Sequence, residues 1–278
     1  MTQQDMMQQQ LAQQHVTDLR AEAGELADLL APLADADYER VTAFKGYTIN
    51  DVLRHLHQGD HMAAMSIADP EGFQRLLAER RLRRKQGVNS RDDARLQFGH
   101  VAGRRMLDVW QGRLAELCDR IEQLAPDARL KWAGPDMGVR MFTTARQMEV
   151  WAHGQEIFDI LGRDRIPSDR LRSIAVIGVR TFEWTFANRG LALPPDAPYV
   201  RLISPSGAIW EWNPPSATNA VAGSALEFCQ VVTQVRNIAD TALSVTGETA
   251  RHWMSIAQCF AGPPETPPAA GTRRRETT

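Results

Sequence analysis

The chain has 278 residues, 43% hydrophobic and 24% charged, so it can bury a sizeable core as one large domain or two modest ones. Its formal net charge of -2 gives no general attraction to nucleic acid or to an acidic membrane. No apolar run approaches the roughly 20 residues that span a bilayer, and the glutamine-rich start lacks the features of a signal peptide. Three widely spaced cysteines fit a reduced compartment. We therefore expect a cytoplasmic protein without nucleic-acid or membrane partners.

Hydrophobic residues at three- and four-residue steps predict helices over most of the first 190 residues. The second helix should start at Thr48 or Asn50, since both residue types are good N-caps. The basic run in the third helix is read as a solvated face. The predicted helices span about residues 11–32, 48–68, 71–86, 90–124, 143–161 and 168–188. Long amphipathic segments joined by loops indicate an α-helical bundle.

The sequence pattern changes after residue 190. A proline-rich linker leads into two alternating segments, 199–203 and 208–213, which predict a β-hairpin. A further short strand near 220–223 and helices over 225–236 and 249–260 complete a small α+β domain over 197–262. The tail, 263–278, is rich in proline and charge, which predicts disorder.

Three of the seven histidines crowd into the segment DVLRHLHQGDH. On a helical wheel His55 lies at the edge of the inward apolar stripe, whereas His57 and His61 lie on the opposite side. The His57 and His61 spacing suits a pair of metal ligands, but their face lacks an apolar stripe, which favours a solvated pair. His55 points inward, where an imidazole needs a partner. It is either a core histidine bonded to a carbonyl or a metal ligand.

Glu149 and His153 share one face of the helix that contains RQMEVWAHGQEIFDI, because they are four residues apart. This helix is apolar on more than one side, so ionisable groups in it need partners or a metal. A simple hydrogen bond between the two remains the alternative. With His55 they make a two-histidine, one-carboxylate set, which holds zinc and leaves a fourth position open. Iron(II), nickel and manganese accept similar ligands, and Asp60 and Glu156 are candidates to orient the histidines.

The segments TINDVLRHLHQGD and ARQMEVWAHGQEIFD resemble the mycothiol-dependent maleylpyruvate isomerase family, within the DinB-like metalloenzymes. The resemblance implies a mainly α fold: a DinB-like four-helix bundle with additional helices over 8–190, followed by the small α+β domain. The family's ligands, a histidine on the second helix and Glu-x-x-x-His on a later one, correspond to His55, Glu149 and His153. The stretch that begins GAIWEWNPPS also resembles the C-terminal domain of actinobacterial members.

The resemblance further implies one divalent metal, zinc first among the candidates, and mycothiol as cosubstrate. The reaction would be an isomerisation, or a transfer that adds or exchanges the thiol on an electrophilic small molecule, as in antibiotic biosynthesis. Arg236 is the candidate catalytic and cofactor-binding residue, holding a substrate carboxylate across the domain interface, and Trp132 is the candidate wall of the thiol pocket. Arg236 can equally be a solvated arginine, and Trp132 a packing residue.

Two other functions remain open on the same ligands. The first is a metal-dependent hydrolase or amidase that cleaves thiol conjugates, and the second is a non-catalytic protein that binds a metal or a thiol conjugate. The long N-terminal helix can pack within the bundle or against a second copy of the chain, so a homodimer also remains open.

Overall fold

The computed structural model describes residues 3–134 and 136–273, which form two compact units that meet in sequence between Ile160 and Leu161. The helices of the first unit are α1 (Gln3–Leu30), α2 (Ile49–Ala68), α3 (Pro70–Lys85), α4 (Ser90–Phe98), α5 (Gly103–Glu122) and α6 (Val139–Ile160). Two short antiparallel strands, β1 (Arg129–Leu130) and β2 (Met137–Gly138), lie between α5 and α6. No helix among the described residues is long and apolar enough to cross a membrane.

Helices α1, α2, α5 and α6 form a four-helix bundle, in which both α1 and α2 pack against α5 and α6. Fully buried core residues include Leu19, Leu26, Val52, Leu56, Leu107, Trp110, Val150 and Ile157. Helix α2 starts as predicted, because the Thr48 hydroxyl accepts from the Asp51 N–H at 3.2 Å. The Asp51 carboxylate accepts from the Thr48 N–H in return, at 3.1 Å, which completes a capping box. The predicted start and inward stripe of α2 are therefore confirmed.

The predicted long helix over 90–124 is wrong, since the structure has two helices, α4 and α5, with a break between them. The break is fixed from distant parts of the chain. Asn50 accepts the Gly103 N–H at 2.8 Å and Asp35 accepts the Arg104 N–H at 2.9 Å, which together cap the start of α5. Gly103 has a φ of +59°, a conformation that favours glycine.

The break lets α4 lie against the outer face of α2. The Phe98 ring meets the ring of His57 edge-on, with centroids 4.6 Å apart, and that of His61 at 6.4 Å. His57 is consequently buried and His61 half-buried, so the predicted solvated pair is wrong. Burial lowers the pKa of His57 to about 4, with smaller effects from Arg113 and His61.

Over its described residues, 161–273, the second unit contains a four-stranded sheet and four α-helices. Its helices are α7 (Leu171–Arg180), α8 (Phe182–Ala187), α9 (Ala225–Val232) and α10 (Glu248–Ile256). Its strands are β3 (Tyr199–Ile203), β4 (Ile209–Trp212), β5 (Ala220–Ser224) and β6 (Ser244–Thr246), in the order β4-β3-β5-β6. Strands β3 and β4 form the predicted antiparallel hairpin, and β5 pairs with β3 in parallel.

The division of the chain differs from the predicted boundary after residue 190. Helix α7 packs on α9 so closely that a Cβ on Gly178 would lie 2.8 Å from Val232 Cγ2. Helices α7 and α8, predicted as one helix of the bundle, therefore belong to the second unit. Their sequence is amphipathic, and amphipathicity alone does not reveal which core a helix joins.

The predicted disorder of 263–278 is wrong for its first part, because residues 263–273 hydrogen bond to the second unit. Gln234 Nε2 donates to the Glu265 carbonyl at 3.2 Å, and Asn237 Nδ2 donates to the Pro268 carbonyl at 2.8 Å. The Gly271 N–H donates to the Asp240 carboxylate at 2.9 Å. Residues 274–278 lie outside the described part of the chain.

Candidate metal centre

Helices α2 and α6 bring the three predicted ligands together. His55 Nε2 lies 3.3 Å and His153 Nε2 lies 3.5 Å from the same oxygen, Glu149 Oε2. The two imidazole rings meet edge-on with centroids 4.7 Å apart. One donor atom from each residue can be chosen so that all three lie within 4.8 Å of one another. No other group of three such side chains occurs among the described residues.

The donor set fits one small divalent ion. Nitrogen and oxygen donors held about 2.0–2.1 Å from a tetrahedral ion lie about 3.4 Å apart, close to the two observed separations of 3.3 and 3.5 Å. Two neutral imidazoles and one carboxylate also suit zinc, iron(II), nickel or manganese. The residues therefore fit the implied metal, and their chemistry does not distinguish between these ions.

The electrostatics favour the protonation states that ligands require. Burial raises the pKa of Glu149, but hydrogen bonds from His153 and His55 outweigh it and hold that pKa well below its usual range. Burial lowers the pKa of His153, and this effect exceeds the opposing hydrogen bond with Glu149. At neutral pH the site thus presents an ionised carboxylate and a neutral His153, so metal binding needs little proton release from these two groups.

The site is partly exposed to solvent. The side chains of His55 and Glu149 are 27% and 23% exposed, whereas that of His153 is only 9% exposed. His153 is therefore the most buried of the three candidate ligands, and solvent reaches the group at His55 and Glu149.

A short turn that the sequence analysis did not single out borders the histidines. Val41 and Thr48 form a β-bridge, and the Tyr47 N–H donates to the Phe44 carbonyl at 2.9 Å. Lys45 and Gly46 both have positive φ, which makes this a two-residue turn of type I′. The Phe44 ring meets His153 edge-on at 4.7 Å between centroids, and the Tyr47 ring meets His55 at 6.3 Å. The Lys45-Gly46 pair could have predicted a turn from the sequence. The position of that turn beside the two histidines depends on tertiary structure.

Comparison with known proteins places the chain in a family. The profile of the mycothiol maleylpyruvate isomerase N-terminal domain matches residues 19–158, which is half of the chain and contains all three predicted ligands. The chain belongs to this family. The uncharacterized proteins Rv0036c and MT0041 of Mycobacterium tuberculosis, strains H37Rv and CDC 1551, are each 37% identical to it, over 90% of this chain and 96% of theirs.

A solved structure supports the fold of this member of the mycothiol maleylpyruvate isomerase family. The crystal structure of the mycothiol-dependent maleylpyruvate isomerase superposes with a TM-score of 0.52 at 14% identity, covering 79% of this chain and 88% of that one. At this identity the likeness concerns the fold alone. The prediction of a mainly α protein, with a DinB-like four-helix bundle and a small α+β part, is confirmed.

Trp132 has the contacts of a packing residue. Its ring stacks on Phe73 at 6.1 Å and meets Phe142 edge-on at 5.3 Å, in a cluster with Met62 and Leu77. Phe142 and Met62 each lie seven residues from a ligand on the same helix, about 10 Å along the axis. The proposed role of Trp132 beside a bound thiol therefore stays a prediction, and these contacts do not favour it.

Arg236 and Asp60 were among the other residues predicted to serve the site. Arg236 follows α9 in the second unit, where its Nη1 donates to the Val235 carbonyl at 3.0 Å, and its substrate role stays a prediction. Asp60 does not orient a ligand histidine, because it accepts hydrogen bonds from Arg146 and Trp110 instead.

All three cysteines of this family member are buried. Burial raises the pKa of Cys118 to about 12 and that of Cys229 well above its usual range. Since thiolates are the reactive form, we expect almost no reaction of the native protein with a thiol-specific reagent such as dithionitrobenzoate within minutes. In guanidinium chloride all three thiols should react. Ala115→Cys, on an exposed face of α5, is the positive control and should add one fast thiol. Rapid reaction of native wild-type protein would contradict the expectation.

Proposed function

We propose that this protein is a metal-dependent enzyme that uses mycothiol to act on an electrophilic small molecule. It adds the thiol to that molecule, exchanges a thiol on it, or isomerises it with the help of the thiol. One observation carries the proposal: the three candidate ligand side chains have the separations of a single metal site, and two of them, His55 and Glu149, remain partly exposed to solvent. A site that served only to hold helices together would be closed by a fourth protein ligand. The family membership supports mycothiol as the thiol.

A bound divalent ion, zinc in our proposal, supplies positive charge that favours the thiolate of a free thiol, whose pKa is otherwise about 8.5. The chain's own residues prepare the site for this. Glu149 is ionised and His153 neutral, as ligation requires. Phe44 and Tyr47 cover the ligand histidines on the side of the turn, which leaves water fewer directions of approach.

The thiol has to come from outside the protein, because all three cysteines are buried. This supports a free thiol cosubstrate over a mechanism with a covalently modified cysteine. We further propose that the electrophile belongs to secondary metabolism, such as antibiotic assembly.

The test is to incubate zinc-loaded protein with mycothiol and a panel of electrophiles, including maleylpyruvate and mycothiol S-conjugates, and to follow products by mass spectrometry. We expect a new thioether, an exchanged thioether or a geometric isomer, formed only when mycothiol is present. A cleaved amide would instead identify a hydrolase of thiol conjugates. Binding of conjugates without turnover of any panel member would identify a binding protein, and either result would overturn the proposal.

A further inference from the structure

A buried ion pair joins the two ligand helices beside the metal centre. Arg146 Nε on α6 donates to Asp60 Oδ1 on α2 at 2.9 Å, and the two side chains are 5% and 0% exposed. Trp110 Nε1 on α5 donates to the other oxygen, Asp60 Oδ2, at 3.0 Å. The carboxylate is therefore bonded on both sides, and the pair connects three helices of the bundle.

The pair is adjacent to the ligands on both helices. Arg146 precedes Glu149 by three residues on α6, and Asp60 follows His55 by five residues on α2. Arg146 Nη2 also donates, at 3.4 Å, to the backbone carbonyl of Leu56, the residue after His55. The guanidinium thus contacts the backbone of α2 next to one ligand while its own helix carries the other two.

Gly59 makes room for this contact. A Cβ at residue 59 would lie 2.6 Å from Arg146 Nη2 and 2.8 Å from Nη1, closer than real Cβ atoms approach such groups. Any larger residue would displace the guanidinium from its position against α2. Glycine within a helix is unfavourable by roughly 1 kcal/mol relative to alanine, and at residue 59 the nearby guanidinium gives a steric reason for glycine.

Stability alone is a weak explanation for the pair. Buried ion pairs contribute little net stability, and well-packed apolar residues in their place are often neutral or stabilising. Their best-attested use is to specify one arrangement of helices over others. Here the arrangement in question is the axial register between His55 on α2 and the Glu149–His153 pair on α6.

We propose that Gly59, Asp60 and Arg146 form a positioning clamp that sets the register of α2 against α6 and so holds the three metal ligands at binding distance. These are positioning residues, since none supplies a donor to the metal site. This inference rests on the metal site of the proposed function. The clamp also gives a sequence signature: Gly-Asp four and five residues after His55, and Arg three residues before Glu149.

The decisive variant is Gly59→Ala, because it moves the guanidinium while leaving every charge and every ligand in place. Alanine is the better helix former, so the helix itself should not be weakened. Zinc affinity is measured by competition with a chromophoric chelator, and cobalt(II) absorption reports the coordination geometry. We expect zinc binding about 10- to 100-fold weaker, the usual loss when groups that support ligands are altered, together with a changed cobalt spectrum.

Gly112→Ala on α5 is the matched control, since a Cβ there meets nothing within 4 Å. It should bind zinc as the wild type does. The double variant Asp60→Asn, Arg146→Met is a second test that leaves no unpaired buried charge and keeps an acceptor for Trp110. It should also bind zinc about 10- to 100-fold more weakly while its far-ultraviolet circular dichroism is unchanged.

Wild-type zinc affinity and cobalt spectrum in both folded variants would overturn the clamp alone and leave the proposed function standing. Absence of metal binding by the wild type would overturn the proposed function and the clamp together. If Gly59→Ala does not fold, the double variant decides between these outcomes.

Discussion

Replacing His153 with alanine is expected to lower bound zinc from about one ion per chain to nearly none. His153 is the most buried of the three proposed ligands, with a 9% exposed side chain whose Nε2 lies 3.5 Å from Glu149 Oε2. Its removal leaves two donors, one on each helix. The loss of affinity should exceed the roughly 100-fold that accompanies loss of a supporting group. The loss of zinc is measured as metal content by inductively coupled plasma mass spectrometry after dialysis against dilute chelator.

Glu149→Gln tests whether the site needs the negative charge of residue 149 and not only a side chain of this size. It keeps the side-chain size but removes the ionised oxygen that both histidines contact. We expect a loss of zinc comparable with that of His153→Ala. His61→Asn is the matched control, because His61 lies on α2, half-buried, outside the ligand group. Full zinc content in His153→Ala, or loss of zinc in His61→Asn, would contradict the assignment.

The largest expected effect on stability away from the metal comes from Asp51→Asn. Asp51 is 2% exposed, and its two oxygens accept from Arg95 Nε and Nη2, both at 2.6 Å. Arg54, also buried, lies 3.4 Å from the same carboxylate. Breaking a buried pair costs about 3–5 kcal/mol. Because Arg95 is 44% exposed, we expect Asp51→Asn to lower the free energy of unfolding by about 3 kcal/mol, at the low end of this range. Urea unfolding measures this loss.

The same carboxylate makes stability depend on pH in the acid range. Burial raises the pKa of Asp51, but hydrogen bonds from Arg95 and the Thr48 N–H, with the charges of Arg95 and Arg54, lower it below its usual value. The native state therefore binds this proton less readily than the unfolded chain does. The contribution of the ionised Asp51 carboxylate to the free energy of unfolding is fully present above about pH 4 and is lost as the pH falls further.

Asp51→Asn should therefore be less stable at pH 7 and should lose less stability on acidification than the wild type. Asp108→Asn is the control, since Asp108 forms an exposed pair with Arg104 at 3.1 Å. Exposed pairs contribute at most about 1 kcal/mol. Equal stability losses in the two variants at pH 7 would show that the Asp51 network is not important.

The sequence was sufficient to predict what depends on spacing along one helix. Glu149 and His153 are four residues apart, so the helix alone brings them together. The edge of the apolar stripe of α2 correctly placed His55 on the side that meets α6, where its Nε2 lies 3.3 Å from Glu149 Oε2. Spacing along a helix carries no information about which helix faces it, so the pairing of α2 with α6 came from the resemblance to the family.

Features fixed by distant residues were missed. The break before α5 depends on Asp35 and Asn50, which cap Gly103 and Arg104 from more than fifty residues away. Because α4 then covers α2, the exposure of His57 was predicted wrongly. The bonding of residues 263–273 depends on backbone carbonyls, which any sequence offers equally, so composition alone predicted disorder.

The burial of Cys118, Cys229 and Cys259 bears on how long such a catalyst would survive its own reaction. An enzyme that concentrates reactive electrophiles is exposed to alkylation at any accessible thiol, and each such event would accumulate as irreversible damage. Here burial shields the protein's own thiols from solvent. If the proposed reaction is the one this protein performs, unfolding, which exposes these thiols, would limit its working life more than its substrates would.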